Sequence, residues 1–154
     1  MLKRGNNILV TIIRLWIITG SLDAIAAIVL SLHTPPGKIF RYIASGVFGE
    51  DAFTAGADMI FWGIFFHYVI AMLFTSFLFL SYRQFKKLFA NKYLIALIYG
   101  LFIWLIMNIV VLPLSYVPKF PFQTFSVLTG IIALVICIGL PTSIAASNYF
   151  KRRH

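Results

Sequence analysis

The chain has 154 residues, of which 61% are hydrophobic and 11% are charged, against about 45–50% and about 25% in soluble domains. A globule of this size needs more polar surface than 13 Lys and Arg with 4 Asp and Glu can provide. This composition excludes a soluble enzyme, a disordered tail and a coiled coil, and it predicts a protein that is solvated by lipid.

The net charge of +9 raises the question of a nucleic-acid partner. The basic residues cluster between apolar stretches, as they do in membrane proteins, and they do not interleave along a polar binding face. We therefore expect the lipid bilayer as a partner and no nucleic acid. The single cysteine, Cys137, excludes an intrachain disulfide and a thiolate zinc cage. Neither a metal nor a cofactor is expected.

Four apolar stretches are long enough to cross the hydrocarbon core, which is about 30 Å thick and takes about 20 helical residues. They run approximately over residues 8–32, 57–82, 93–116 and 124–148. Each is apolar all round, whereas the strands of a membrane barrel alternate between apolar and polar residues. The sequence therefore predicts an all-α fold, an integral membrane four-helix up-down bundle, with residues 1–154 in a single transmembrane domain.

The first stretch has a second interpretation, because a basic start and the small residues Ala24 and Ala26 also occur in cleaved signal peptides. Arg14 and Asp23 interrupt its apolar region, and more apolar residues follow the would-be cleavage site. We expect this stretch to stay in the protein as a true span.

The basic residues in the flanks of the spans predict the orientation of the chain. One side carries Lys3, Arg4, Arg83, Lys86, Lys87, Lys92, Lys151, Arg152 and Arg153, and the other carries Lys38, Arg41 and Lys119. Because positive charge favours the cytoplasmic side, both termini are expected in the cytoplasm.

The longest loop outside the predicted spans follows the first of them. A Pro-Pro pair ends the first helix. Apolar residues then recur every four positions, at Ile39, Ile43 and Val47. This spacing indicates a short helix over about residues 37–46, lying in the outer interface and ended by Gly46. It is either a lid over the bundle or a hydrophobic connector resting on the membrane, and the connector is favoured. Asp58 is expected to cap the next span.

Polar side chains inside a span are costly, so each is a candidate for function. Asp23, His67 and Asn108 lie at similar distances along the chain from the outer ends of the first three spans. At about 1.5 Å per residue, all three lie roughly 12–15 Å below the outer surface, near the midplane. We predict a buried polar cluster in which these three side chains point into the bundle and contact one another.

Small and hydroxyl residues share the helical faces of these side chains, which would allow the helices to approach closely. Thr19 lies one turn before Asp23, and Gly63 lies one turn before His67. Ser115 follows in the third span, two turns beyond the amide. Span four has a comparable face, at Ser126, Gly130, Ala133 and Cys137.

Pro113 and Pro141 each remove a helical hydrogen bond, which leaves the carbonyls of Ile109 and Cys137 without their partners. Span three should therefore kink just beyond Asn108. Transporters build sites from such broken helices, but similar breaks also occur in helices without this role.

Arg14 lies nearer the other end of the first span. Nine positions separate it from Asp23, and at about 100° per residue this places the two on opposite faces of the helix. Its long stem is expected either to snorkel to the cytoplasmic interface, which is favoured, or to contact the bundle on that side.

Two functions from different classes fit this pattern. In the favoured one, the chain is a small structural or accessory membrane subunit whose polar cluster fixes how the helices dock. In the alternative, it is a small transporter or a proton- or cation-coupled permeation protein that uses Asp23 and His67. No catalytic motif is present, so no enzyme activity is expected. A homo-oligomer or a larger membrane complex stays open as the assembly.

The segments IASGVFGEDAFTAGADMIFWGIFFHYVIA and YGLFIWLIMNIVVLPLS resemble those of small bacterial inner-membrane proteins of the YagU-like sort. The likeness covers most of the first three spans. It runs through LDAIAA around Asp23, GxxxH at Gly63 and His67, and MNxxxxPLS at Asn108 and Pro113. Span four matches only in character. The resemblance implies a four-span protein of the bacterial inner (cytoplasmic) membrane and brings no particular activity.

Overall fold

The computed structural model describes residues 7–118 and 124–151. Over these residues the regular structure is helical, in the order α1 (Ile8–Leu30), α2 (Pro36–Phe48), α3 (Asp51–Thr54), α4 (Asp58–Leu88), α5 (Lys92–Leu114) and α6 (124–151). Inside α5 the segment Ile106–Val111 is a π-helix, and inside α6 the segment Val135–Gly139 is another. The predicted all-α fold is confirmed.

Four of these helices, α1, α4, α5 and α6, are long and apolar enough to cross a membrane. Their outward faces expose large apolar side chains, among them Ile13, Ile25, Leu73, Leu97 and Ile132. Water would not tolerate so much exposed apolar surface, whereas lipid tails solvate it. The chain is therefore a multi-pass membrane protein.

The ends of the helices follow local capping chemistry. Asn7 and Asn91 cap α1 and α5, since each side-chain oxygen accepts a hydrogen bond from a backbone N–H two residues later, at 3.1 and 2.9 Å. The predicted capping of α4 by Asp58 is wrong. Asp58 is the first helical residue and makes no capping hydrogen bond, but its charge stabilises the first turn. α4 also continues past residue 82, as far as Leu88.

The short helix predicted over residues 37–46 is α2, which begins at Pro36 and runs to Phe48. Its expected end at Gly46 is wrong, because Gly46 lies inside the helix. The helix ends instead at Gly49, whose φ of 62° lies in the left-handed region that glycine adopts without a Cβ clash.

The backbone of α2 lies directly on the backbone of α4. A Cβ atom on Gly63 would overlap the carbonyl oxygen of Phe40 and lie 2.5 Å from its carbonyl carbon. Only glycine permits this approach. The Phe40 ring also meets the His67 imidazole edge-on, with 6.4 Å between the ring centroids. The position of α2 therefore depends on the missing side chain of one residue.

Arg41 ties the chain that follows α2 back to this helix. Its guanidinium donates hydrogen bonds to the backbone carbonyls of Ala52, Ala55 and Gly56, at 2.7–2.9 Å. A guanidinium offers five N–H donors in a fixed fork, so one side chain can satisfy several carbonyls that a short helix leaves free. The sequence indicated only a flanking charge here, whereas the structure gives Arg41 a structural role.

Helices α1 and α4 are joined by side-chain hydrogen bonds. The indole Nε1 of Trp16 donates to the backbone carbonyl of Tyr68 at 2.7 Å. The Tyr68 hydroxyl is paired with the Ser21 hydroxyl at 2.8 Å. Deeper in the interface, the hydroxyls of Thr19 and Thr75 are paired at 2.8 Å, and both residues are buried. This interface is held by polar groups.

Helices α5 and α6 meet in a different way. Each helix carries one glycine that lets the backbone of the other helix come close. A Cβ on Gly100 would lie 2.9 Å from both the Cα and the backbone nitrogen of Val135. A Cβ on Gly139 would lie 2.5 Å from the carbonyl oxygen of Ala96. Small residues let helices in a membrane approach until their backbones touch.

Aromatic rings fill the core at the end of the bundle where α1 begins and α6 ends. Phe79 meets Tyr149 edge-on, with 5.3 Å between centroids, and Tyr82 stacks on Phe150 at 6.2 Å. Within the described part of the chain, the buried hydroxyls of Tyr82 and Thr142 have no hydrogen-bond partner.

Candidate functional site

A cavity of about 110 Å³ lies between five helices of the bundle. α1 and α2 each contribute one residue to its wall, α4 contributes four, and α5 and α6 contribute two each. The lining residues are Asp23, Ile43, His67, Ile70, Ala71, Phe74, Ile103, Met107, Leu134 and Ile138. Two ionisable side chains thus share an otherwise apolar cavity, which is the usual composition of a small-ligand site.

Asp23 reaches the cavity because it lies on the face of α1 that docks on α4. Thr19, one turn earlier, is hydrogen-bonded to Thr75 of α4, and the four-residue spacing turns Asp23 toward the same helix. The Asp23 carboxylate and the His67 imidazole both line this one cavity. Within the described part of the chain, the carboxylate has no hydrogen-bond partner. Its acceptor oxygens are therefore available to a ligand.

His67 is held in one orientation by its neighbours. Its Nε2 atom lies 2.9 Å from the carbonyl oxygen of Gly20 on α1. Because a carbonyl oxygen can only accept, Nε2 carries the hydrogen and donates it, which leaves Nδ1 as an acceptor in the neutral ring. The rings of Phe40 and Tyr68 meet the imidazole edge-on from two sides, at centroid distances of 6.4 and 5.5 Å.

The two π-helical segments both contribute to the cavity wall, through Met107 in α5 and Ile138 in α6. Each segment ends with a backbone N–H bonded five residues back, from Leu112 to Met107 and from Leu140 to Val135. The next residue is a proline in both cases, so one carbonyl in each segment loses its helical donor. π segments are frequent at functional sites, and here the disturbance that the prolines predicted lies at the cavity.

Asn108 is not brought to the cavity. Its side-chain amide turns back along α5 and donates a hydrogen bond to the carbonyl of Trp104 at 2.8 Å. The residues of α5 that line the cavity are instead Ile103 and Met107. Asn108 lies within the π segment Ile106–Val111, where the helix departs from the 3.6-residue period on which the predicted alignment relied. The predicted three-residue cluster is thus reduced to Asp23 and His67.

The supporting residues Thr19 and Gly63 lie beside the cavity in docking roles. Thr19 joins α1 to α4 through its hydroxyl, and Gly63 admits the backbone of α2 one turn before His67. Pro113 follows the π segment whose residue Met107 lines the cavity. These residues set the positions of the cavity walls.

Arg14 and Ser115 lie away from the cavity. Arg14 is exposed on the outside of α1, as the favoured snorkelling interpretation requires. The Ser115 hydroxyl donates to the carbonyl of Leu112 at 2.8 Å, at the end of α5. A Cβ added to Gly46 would lie 3.7 Å from the Cβ of Ser115, so this turn packs against α2.

Several residues of the site escaped the sequence analysis. Thr75 continues the four-residue stripe of Gly63, His67 and Ala71, and extending that stripe by one turn would have found it. Ile43 of α2 lines the cavity as well. The sequence offered a lid over the bundle only as the less favoured role of this helix and did not indicate His67 as its neighbour.

Among residues 7–118 and 124–151, no three His, Cys, Asp or Glu side chains are grouped as a metal site would require. Comparisons of the chain with protein families, with curated proteins and with solved structures find no match.

Proposed function

We propose that this protein binds a proton or a small cation at Asp23 and His67, inside the bundle, and carries it through the membrane. The observation that supports this most directly is the Asp23 carboxylate, which lines a cavity and has no hydrogen-bond partner within the described part of the chain. An ionisable side chain within a membrane span is costly, and such residues mark ion and proton pathways.

The competing proposal, that the polar groups only fix how the helices dock, has less support at Asp23. The α1–α4 interface already contains the Trp16–Tyr68, Ser21–Tyr68, Thr19–Thr75 and His67–Gly20 hydrogen bonds. None of them uses the Asp23 carboxylate. A docking residue would be expected to make a hydrogen bond to the opposite helix, because interhelical hydrogen bonds are the means by which polar side chains stabilise membrane bundles.

The chemistry of the pair suits proton or cation exchange. A carboxylate supplies a negative charge, and histidine is the side chain whose charge changes between about pH 5 and 8 in ordinary surroundings. Fixed by Gly20 and Phe40, the imidazole can accept a proton at Nδ1 without losing its place. Fixed geometry of this kind lowers the cost of binding.

We also propose that the protein lies in the bacterial inner membrane with both termini in the cytoplasm. The support is the excess of Lys and Arg on the terminal side of the spans, together with the resemblance to small proteins of that membrane. Labelling of a cysteine introduced near either end, with a reagent that does not cross membranes, tests the orientation. Labelling in intact cells would contradict it.

The function is tested by reconstituting the purified protein into liposomes that enclose a pH-sensitive dye. With valinomycin and a potassium gradient setting the membrane potential, the wild-type protein should dissipate an imposed pH difference faster than empty liposomes do. Asp23→Asn keeps the shape of the side chain and removes its charge, so it should return the rate to that of empty liposomes.

Glu50→Gln is the matched control, because Glu50 is an exposed acid at the start of α3 that makes no capping hydrogen bond. This variant should transport as the wild type does. Equal rates in wild type and Asp23→Asn would contradict proton or cation transport at this site and would favour the structural or accessory subunit. In that case the mass of the protein in nanodiscs would identify a homo-oligomer or larger complex.

A further inference from the structure

On the basis of the proposed function, we propose that the cation bound at Asp23 is a small organic monocation, a protonated amine with an apolar body, and not a metal ion. The inference concerns the chemical class of the ligand, and it follows from what the cavity wall offers and what it lacks.

The cavity offers too few oxygen ligands for a metal ion. Hard cations such as Ca²⁺ take six to eight oxygens, and Mg²⁺ requires nearly ideal octahedral geometry. The nearby hydroxyls are already engaged, Thr19 with Thr75 and Ser21 with Tyr68. Among the lining residues, only Asp23 carries side-chain oxygens. Even with the one carbonyl that each π segment leaves without a helical donor, a metal ion would lose its hydration without gaining a full replacement shell.

An ammonium group matches the acceptors that remain. It carries three N–H donors and no acceptor, as in lysine. The unpaired Asp23 carboxylate can accept two of these hydrogen bonds, and Nδ1 of neutral His67 is a further acceptor, since Nε2 is already bonded to Gly20. Charge-assisted hydrogen bonds of this kind are about twice as strong as neutral ones.

The rest of the wall suits the apolar body of such a ligand. Eight of the ten lining residues are apolar: Ile43, Ile70, Ala71, Phe74, Ile103, Met107, Leu134 and Ile138. The Phe74 ring can interact with a cation through its π face, and the flexible, polarisable Met107 side chain adapts to the shape of a guest.

The size of the cavity limits the ligand to a few carbon atoms. Its volume is about 110 Å³, whereas an apolar cavity of about 150 Å³ holds a benzene molecule. Isopropylammonium, with three carbon atoms, is a suitable probe within this limit. Isopropanol is its uncharged counterpart, and sodium chloride supplies a metal cation at the same ionic strength.

The test follows the thermal unfolding of the purified protein in detergent as each probe is added. Isopropylammonium chloride should raise the Tm of the wild type along a saturable curve, and sodium chloride should not. Isopropanol should bind about tenfold more weakly or worse, since it lacks the charge-assisted hydrogen bond. Asp23→Asn should remove the preference for the amine over the alcohol, and Glu50→Gln should keep it.

A second variant serves in case Asp23→Asn does not fold. Ile43→Phe reduces the cavity from the α2 side without changing a charge, and it should weaken binding of the amine more than binding of the smaller methylammonium ion. Equal weakening of both amines would contradict binding in this cavity.

Failure of this inference is distinguishable from failure of the proposed function. If sodium raises the Tm in an Asp23-dependent manner and the amine does not, the ligand class is wrong and the cation site stands. If neither cation binds but Asp23→Asn abolishes proton flux, the proton is the ligand and the inference is again overturned. If neither binds and the flux of Asp23→Asn equals that of wild type, both proposals fail.

Discussion

The interface between α1 and α4 is polar, whereas the interface between α5 and α6 is made by glycines. In the first, the Thr19 and Thr75 hydroxyls lie 2.8 Å apart. In the second, Gly100 and Gly139 bring two backbones into direct contact. In lipid, where helices gain little from the hydrophobic effect, hydrogen bonds and close packing are the two available means of association. In this bundle, hydrogen bonds join α1 to α4 on one side of the cavity, and close packing joins α5 to α6 on the other.

The contents of the cavity follow from this division. Both ionisable side chains come from α1 and α4, the pair with polar contacts, while α5 and α6 contribute apolar walls from their π segments and the neighbouring turns. One half of the molecule therefore carries the charge, and the other half shapes the space around it. Substitutions in the two halves should have different consequences.

The largest loss of stability is expected from Gly100→Ala or Gly139→Ala. The new methyl group would press on backbone atoms of Val135 or Ala96, which cannot move as a side chain can. We expect a loss of about 1–3 kcal/mol, the usual cost of overpacking, measured by unfolding in mixtures of mild detergent and dodecyl sulfate.

The control for this prediction is Gly130→Ala in the same helix. Its Cβ would lie 3.7 Å from the Trp104 ring, an ordinary contact. Since alanine favours helix by about 1 kcal/mol over glycine, this variant should be as stable as wild type or slightly more so. Equal destabilisation by all three substitutions would contradict a specific backbone contact between α5 and α6.

A more local effect is expected from Gly63→Ala, which should displace α2 from α4. The added methyl would overlap the Phe40 carbonyl, so hydrogen exchange in the α2 amides should accelerate while exchange in α5 and α6 changes little. Gly37→Ala is the control, because its methyl would meet only the end of the Ile60 side chain. Unchanged exchange in Gly63→Ala would show that α2 does not depend on this contact.

A smaller loss is expected from Thr19→Val, which removes one hydroxyl of the Thr19–Thr75 pair. Interhelical hydrogen bonds in membranes contribute about 0.6 kcal/mol on average and up to about 1.7 kcal/mol. A double-mutant cycle with Thr75→Val should therefore give a coupling energy in this range. Strict additivity would mean that the two hydroxyls do not stabilise each other.

No loss of stability is expected from Asp23→Asn, although its effect on transport should be the largest. The carboxylate makes no hydrogen bond to another helix within the described part of the chain, and a buried charge is costly, so the free energy of unfolding should be unchanged or raised. A loss comparable with that of Thr19→Val would indicate a docking role for Asp23.

Much of this arrangement could be predicted because it depends only on the spacing of residues within single helices. Hydropathy located the four helices that could cross a membrane, and the four-residue stripes predicted that Asp23 and His67 face into the bundle, where both line one cavity. Both helices are regular at these residues, so depth and face follow from the α-helical period.

Asn108 could not be placed in the same way. Its depth followed from the number of residues, but its direction depends on the local period of α5, which the π segment changes. The proline that produces this segment was visible in the sequence. The form that the helix would adopt in response was not.

The contacts between helices were also beyond the sequence. The role of Gly63 depends on Phe40, which lies on a different helix, and the role of Arg41 depends on carbonyls that a later turn presents. Small residues indicate where helices can approach, but they do not identify the neighbour.

The length of α4 has a mechanical consequence. Its 31 residues span about 46 Å at 1.5 Å per residue, well beyond a hydrocarbon core of about 30 Å. A helix with such a mismatch tilts, or projects from the bilayer, as the lipid thickness changes. Because α2 rests on the Gly63 backbone, the two helices should tilt as one body, and the thickness of the surrounding membrane would then move the part of the cavity wall that α2 contributes through Ile43.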